Sequence, residues 1–273
     1  MNPYYDKLLN TYESIRRKTT FKPLTALVLG SGLGGYADEI EVKDVVEYGE
    51  IEGFPVSTVP GHKGRFVFGY IKKTPVVVMQ GRIHYYEGYD IHDVVLPIRL
   101  MKLMGAENLI LTNAAGGIQE GMKPGDFMLI QDHITQFVPS PLMGPNLESL
   151  GERFPDMSQV YDLQIQEKIE QVAQQLNIHL KKGIYIQFTG PNFETPAEIQ
   201  MAKILGAGAV GMSTAVEAMT AKHMGMRVGG ISVISNLASG IGSHPLSHAE
   251  VQIAADVAAP HFKQLLTELI PMI

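Results

Sequence analysis

Short runs of valine, isoleucine and leucine recur along this chain, bounded by glycine or small polar residues and separated by longer segments of helical periodicity. The runs fall at 25–29, 76–80, 108–112, 127–131, 184–188, 209–212 and 228–234, and each reads as a strand buried on both faces. Helices are expected at 4–17, 91–104, 162–176, 195–205, 214–224 and 248–270. Strands apolar on both faces need helices above and below them. The pattern therefore specifies an α/β fold, a single domain with a central mixed β-sheet flanked by helices. Three helix starts are written into the sequence. Thr195-Pro196-Ala197-Glu198 is a capping box with proline at the first helical position, and Thr214 with Glu217 and Ser247 with Glu250 repeat the spacing. Gly206 and Gly225 stand where helix ends favour glycine.

No proline- or serine-rich linker or low-complexity segment interrupts residues 20–270, so all 273 residues are expected to form one domain. The 22 basic and 28 acidic residues are scattered, giving a net charge of −6, which argues against nucleic acid or an anionic membrane as partner. The absence of cysteine excludes disulfides, thiolate metal sites and a cysteine nucleophile. The first ten residues lack an apolar signal core and no run approaches a membrane span, so a soluble, cytoplasmic protein is expected.

The residues that carry chemistry gather at the expected strand ends, where α/β proteins place ligands. The run at 25–29 leads into Gly30-Ser31-Gly32-Leu33-Gly34-Gly35, which satisfies the G-x-G-x-x-G pattern of dinucleotide cradles. Glu50 and Glu52 sit near the spacing of a ribose-binding acid. The helix that pattern requires has no room, because Tyr36 to Ile40 gives way to β-branched Val42, Val45 and Val46. A serine in a glycine loop at a strand's end suits a small anion instead. Arg82 and His84 follow the strand at 76–80, and arginine offers a planar fork of donors to an oxyanion. Thr112-Asn113-Ala114-Ala115-Gly116-Gly117 lets backbone N–H groups approach a ligand, and Gly211-Met212-Ser213-Thr214 opens a capped helix. Phe193 offers a ring face, Glu194 an acceptor for a planar N–H edge, and Asn236 an amide suited to a purine edge. Each has a plain structural reading as well: surface arginine, helix cap, turn asparagine. His244 and His248 have a metal-ligand spacing, but Pro245 breaks the helix such a pair needs, and no metal is expected. The serine-hydrolase elbow G-x-S-x-G is absent.

Taken in order, GSGLGG, VPGHKGR (59–65), GRIHYYEGY (81–89), TNAAGG, RFPDMS (153–158), GPNFETPAE, VGMST and SNLASG…SHAEV resemble the trimeric purine nucleoside phosphorylases over nearly the whole chain. The resemblance implies a single α/β domain, a homotrimer, and reversible phosphorolysis of purine (deoxy)ribonucleosides to free base and (deoxy)ribose 1-phosphate. Inorganic phosphate would be a co-substrate, with no cofactor. It implies that Ser31, Arg82, His84, the Ala114 N–H and Ser213 hold phosphate, with His62 closing over it. Tyr86 would bond the sugar hydroxyls, Met212 lie under the ribose, and His248 reach the 5′-hydroxyl. Phe193 would pack on the base, Glu194 accept from its N1–H side and Asn236 stabilise N7, so that Asn236, Glu194 and His84 are the expected catalytic residues. Phe154 resembles the aromatic residue a neighbouring subunit lends to the sugar pocket. Leu237 departs from the lysine of many mammalian relatives, and the loop at 238–243 is short and glycine-rich. A methylthioadenosine phosphorylase-like enzyme and a non-catalytic nucleoside-binding protein are the alternatives; Asn236 speaks against the first and the full phosphate constellation against the second.

Overall fold

Strand β1 (Thr25–Leu29) is buried throughout, and its side chains alternate between two cores: Ala26 and Val28 enter one, Leu27 and Leu29 the other. The same division runs through β4 (Thr74–Gln80), where Val77 and Met79 face Val76 and Val78 across the sheet, and through the first half of β5 (Asn108–Gly117). These runs carry no polar face because neither face meets water. The computed structural model describes residues 3–59, 61–242 and 248–273, with side chains in the last helix from Gln252 onward. Helices α1 (Pro3–Arg16), α2 (Ile91–Leu103) and α5 (Ala215–His223) fill the first core with Leu8, Ile15, Val95, Ile98 and Ala218. Helices α3 (Leu163–Gln175) and α6 (His248–Leu269) fill the second with Ile165, Ile169, Phe262 and Leu266. A smaller cluster joins α4 (Pro196–Ile204) to β8 (Ala207–Gly211). All six expected helices form. Among the described residues, no helix is long and apolar enough to cross a membrane.

The remaining strands are β2 (Glu41–Glu47), β3 (Arg65–Ile71), β6 (Phe127–Ile134), β7 (Leu180–Gln187) and β9 (Arg227–Leu237). All nine form one mixed sheet in the order β2-β3-β4-β1-β5-β8-β7-β6-β9, and β9 also pairs back onto β5. Five strands, β5, β8, β7, β6 and β9, thus close into a ring. Strands β2 and β3 were not expected as strands. β2 is the sheet edge, exposes Val42 and Val45, and carries Lys43 and Asp44, a pattern that discourages further pairing but lacks the apolar run.

One detail of β5 makes the site. Its edge against β1 ends at Leu111, and its edge against β8 begins only at Gly116. Residues Thr112–Ala115 pair with β9 alone, which leaves one backbone edge facing the space where the sheet divides.

Candidate active site

A cavity of about 420 Å³ opens at that divide, and Ser31, Arg82, His84, Tyr86, Ala114, Phe193, Glu194, Met212, Ser213 and Asn236 all line it. Ten residues singled out in sequence, from six separate segments, are brought together. The volume is in the range of ordinary small-molecule sites, roughly 300–1,000 Å³.

The glycine loop reaches the cavity because Gly30 crosses β5 with no side chain: a Cβ there would lie 2.6 Å from Asn113 Cα. After the loop comes a five-residue 3-10 turn, Gly34–Asp38, and then β2, so the dinucleotide helix is absent. Glu50 and Glu52 point to Lys18 and Arg17 at the surface and do not take a ribose-binding role. Ser31 Oγ instead lies 3.3 Å from His62 Nε2. His62 lines an adjoining cavity of about 180 Å³, with Ser31 in both walls. Its Nδ1 lies 3.1 Å from the Arg82 carbonyl, which can only accept. Nδ1 therefore carries the hydrogen, and Nε2 can accept from Ser31. His62 stacks on His84 at 5.5 Å, and His84 on Tyr86 at 4.7 Å.

Burial, with His84 and Arg82 nearby, pushes the His62 pKa down from 6.5 to about 4. The folded chain refuses a proton that the unfolded chain accepts. Stability tied to this ring is therefore full above pH 6.5 and falls as the pH drops through about 4. In the free protein, the His62 ring signals followed by NMR are therefore expected to titrate below about pH 5. A His62 titration near pH 6.5 in the free protein would contradict this environment.

Arg82 is the largest fully buried side chain among the described residues and lines the cavity. Its Nε donates to Glu217 at 3.1 Å and its Nη1 to the Thr112 carbonyl at 2.9 Å. Its Nη2 has no partner among the described residues. The sequence reading did not assign Glu217 to the site. Its carboxylate accepts from the Thr214 N–H at 2.9 Å, as the cap of α5, and is also the counter-ion of Arg82. Thr214 sits at φ +81°, a left-handed conformation, and accepts from Asn113 Nδ2 at 2.9 Å. That strained corner presents Ser213 Oγ to the cavity at the positive end of α5.

Glu87 was also missed, although it lies in the segment read for Arg82 and His84. Burial raises its pKa, but hydrogen bonds from His84 and Thr58 prevail and bring it down to about 2. One oxygen accepts from the His84 N–H at 2.7 Å, the other from Thr58 N–H at 2.5 Å and Oγ1 at 2.7 Å. The carboxylate so ties the His62 loop to His84. Burial lowers the His84 pKa, against the pull of Glu87.

On the opposite wall, Gly190 at φ +68° packs directly on Met212, and Phe193 is 38 % exposed with a ring face available. Glu194 is buried, which pushes its pKa up. Asn236 Oδ1 accepts from Ser235 Oγ at 2.7 Å, and Nδ2 donates to the Leu237 carbonyl at 3.0 Å. That carbonyl fixes which end is nitrogen, so one amide N–H remains for a ligand. The capping boxes at Thr195 and Thr214 form as expected. Phe154 does not line the cavity of its own chain; it is 88 % exposed, with the Arg153 guanidinium 5.7 Å over its ring. Ser247, His244 and the side chain of His248 lie outside the described residues.

The Phosphorylase superfamily model matches residues 25–271. Purine nucleoside phosphorylase 1 of Geobacillus stearothermophilus is 50 % identical over 237 residues, covering 87 % of this chain and 86 % of the relative. The Bacillus subtilis protein of the same name is 46 % identical over 265 residues, 97 % and 98 % of the two chains. Schistosoma mansoni purine nucleoside phosphorylase, solved with inosine, superposes with a TM-score of 0.92 at 35 % identity, covering 98 % of this chain and 96 % of that one. With a match over nearly its full length in sequence and in structure, the chain belongs to the purine nucleoside phosphorylase family of the Phosphorylase superfamily.

Proposed function

We propose that this chain catalyses the reversible phosphorolysis of purine (deoxy)ribonucleosides to the free base and (deoxy)ribose 1-phosphate. The observation that carries the reading is the buried Arg82 guanidinium: neutralised by Glu217, it keeps one N–H₂ group unpartnered among the described residues of the cavity. A dianion is what such a donor set accepts, and phosphate would be held by Ser31, Arg82, His84, the Ala114 N–H and Ser213, with His62 closing over it. Tyr86 would bond the sugar hydroxyls above Met212, and His248 the 5′-hydroxyl. Phe193 would cover the base, Glu194 accept from N1–H and Asn236 donate to N7.

In this reading the glycosidic bond loosens first. Positive charge grows on the ribose over the phosphate while negative charge moves into the purine, where Asn236 and Glu194 stabilise it. Phosphate then attacks C1′; the C1′–N9 bond breaks, a C1′–O–P bond forms, and the electron pair leaves with the base. Electrostatic preorganisation suffices, with no covalent enzyme intermediate and no cofactor beyond phosphate as co-substrate. Incubation with inosine, with and without phosphate, tests it: hypoxanthine should appear only with phosphate. Release without phosphate would mark a hydrolase, and no release a binding protein. An adenine edge reverses the N1 and C6 pattern and leaves Glu194 unpaired, so adenosine should react at least about 100-fold more slowly.

We further propose a cytoplasmic homotrimer in which Phe154 enters the sugar pocket of a neighbour, since a large aromatic side chain this exposed on its own chain is best used as a contact. Phe154→Ala should raise KM for nucleoside about tenfold without lowering the melting temperature of the isolated fold. Light scattering at the mass of one chain would overturn the trimer.

A further inference from the structure

A separate cavity of about 130 Å³ lies beneath residues 141–147, lined by Arg99 of α2, Arg153 and His223 at the end of α5, with no aspartate or glutamate in its wall. Arg99 is 4 % exposed. Its Nη2 reaches only the Pro141 carbonyl, at 3.5 Å, its Nε has no partner among the described residues, and its guanidinium stands 5.2 Å over the Tyr4 ring. A buried cation with no counter-ion is destabilising, and here no carboxylate of the described residues pairs with it. His223 supplies the second half of the pattern. Its Nε2 lies 3.0 Å from the Glu152 carbonyl, so Nε2 carries the proton; Nδ1 is then a buried acceptor with no donor. Burial, and Arg99 nearby, hold this ring neutral by lowering its pKa.

The cavity thus asks for negative charge, for an acceptor at Arg99 and for a donor at His223. Water offers both hydrogen bonds but leaves the charge uncompensated. Sulfate compensates the charge but carries no proton at neutral pH. Monohydrogen phosphate does all three, through its bare oxygens and its P–O–H group, and the small volume suits the free ion better than an ester. We propose that this cavity is a second phosphate site, formed by Arg99 and His223, separate from the cavity of Ser31, Arg82 and Ser213. Arg153 holds its outer wall in place by donating to the Gly144 carbonyl at 2.6 Å.

Equilibrium dialysis of labelled inorganic phosphate against the whole protein tests this. Wild type should bind one more phosphate per chain than Arg99→Met. His223→Leu, which removes the acceptor but not the charge, should weaken that same phosphate at least tenfold, and it serves alone if Arg99→Met does not fold. Sulfate should compete for this site at least tenfold less well than phosphate. Equal stoichiometry and affinity in wild type and both variants would overturn the proposal, as would sulfate binding as tightly. The proposed activity is tested apart from it: if the larger cavity held no phosphate, wild type would bind one and Arg99→Met none, and the difference of one would stand.

Discussion

Arg82→Met should abolish phosphorolysis and unfold the protein more readily than any other single change in the cavity. Loss of one preorganised donor to a developing or bound anion costs about 10²–10³-fold, and Arg82 offers the fixed charge as well, so a fall in kcat/KM for phosphate of 10³-fold or more is expected. The same substitution strands Glu217, itself buried, without its cation. Breaking such a pair costs about 3–5 kcal/mol, whereas replacing both members with apolar residues of similar volume is often neutral. Arg82→Met/Glu217→Leu should therefore recover much of the lost melting temperature and none of the activity. Recovery of activity in the double variant would show that Arg82 serves the fold and not the anion. Lysine should rescue poorly, because it lacks the fork that contacts Glu217, Thr112 and the cavity at once.

Asn236→Ala carries the second large effect. Its amide is already anchored by Ser235 and Leu237, so in the proposed role it would meet a departing base without reorganisation. In that role the contact would strengthen only as charge reaches N7, which places its expected loss in kcat: about 10²–10³-fold for inosine, with KM changed less than fivefold. A riboside whose leaving group is a stable anion unaided should lose far less. Equal losses for both substrates, or a change confined to KM, would assign Asn236 to binding.

Most of the architecture was legible where burial is two-sided. Runs such as 25–29 and 76–80 must be apolar to sit between helix layers, and Thr195 and Glu198 announce their helix by local chemistry alone. The edge strand β2 was not legible, because an edge strand needs only one buried face and β2 keeps little of that; β3 was missed although Phe66, Val67 and Phe68 divide between the two cores. In the site, the cavity-lining residues stood out as small, polar or aromatic groups, with Met212, near strand ends. Their supports did not. Glu217 was read correctly as a cap, but its ion pair with Arg82 spans 135 residues and leaves no mark in local spacing. Glu87 was hidden for the same reason, since its link to Thr58 is made only when two loops meet.

The change of partners along β5 also bears on how the protein is born. Ala115 faces the exposed backbone edge on one side and, on the other, accepts from Ser235, 120 residues later in the chain. Contacts so distant close late and slowly. A nascent chain would hold its glycine loop, Arg82 and Ala114 on β1, β4 and β5 long before β9 emerges to cover the other edge of β5. Until residue 237 clears the ribosome, the proposed anion site is assembled on one side only.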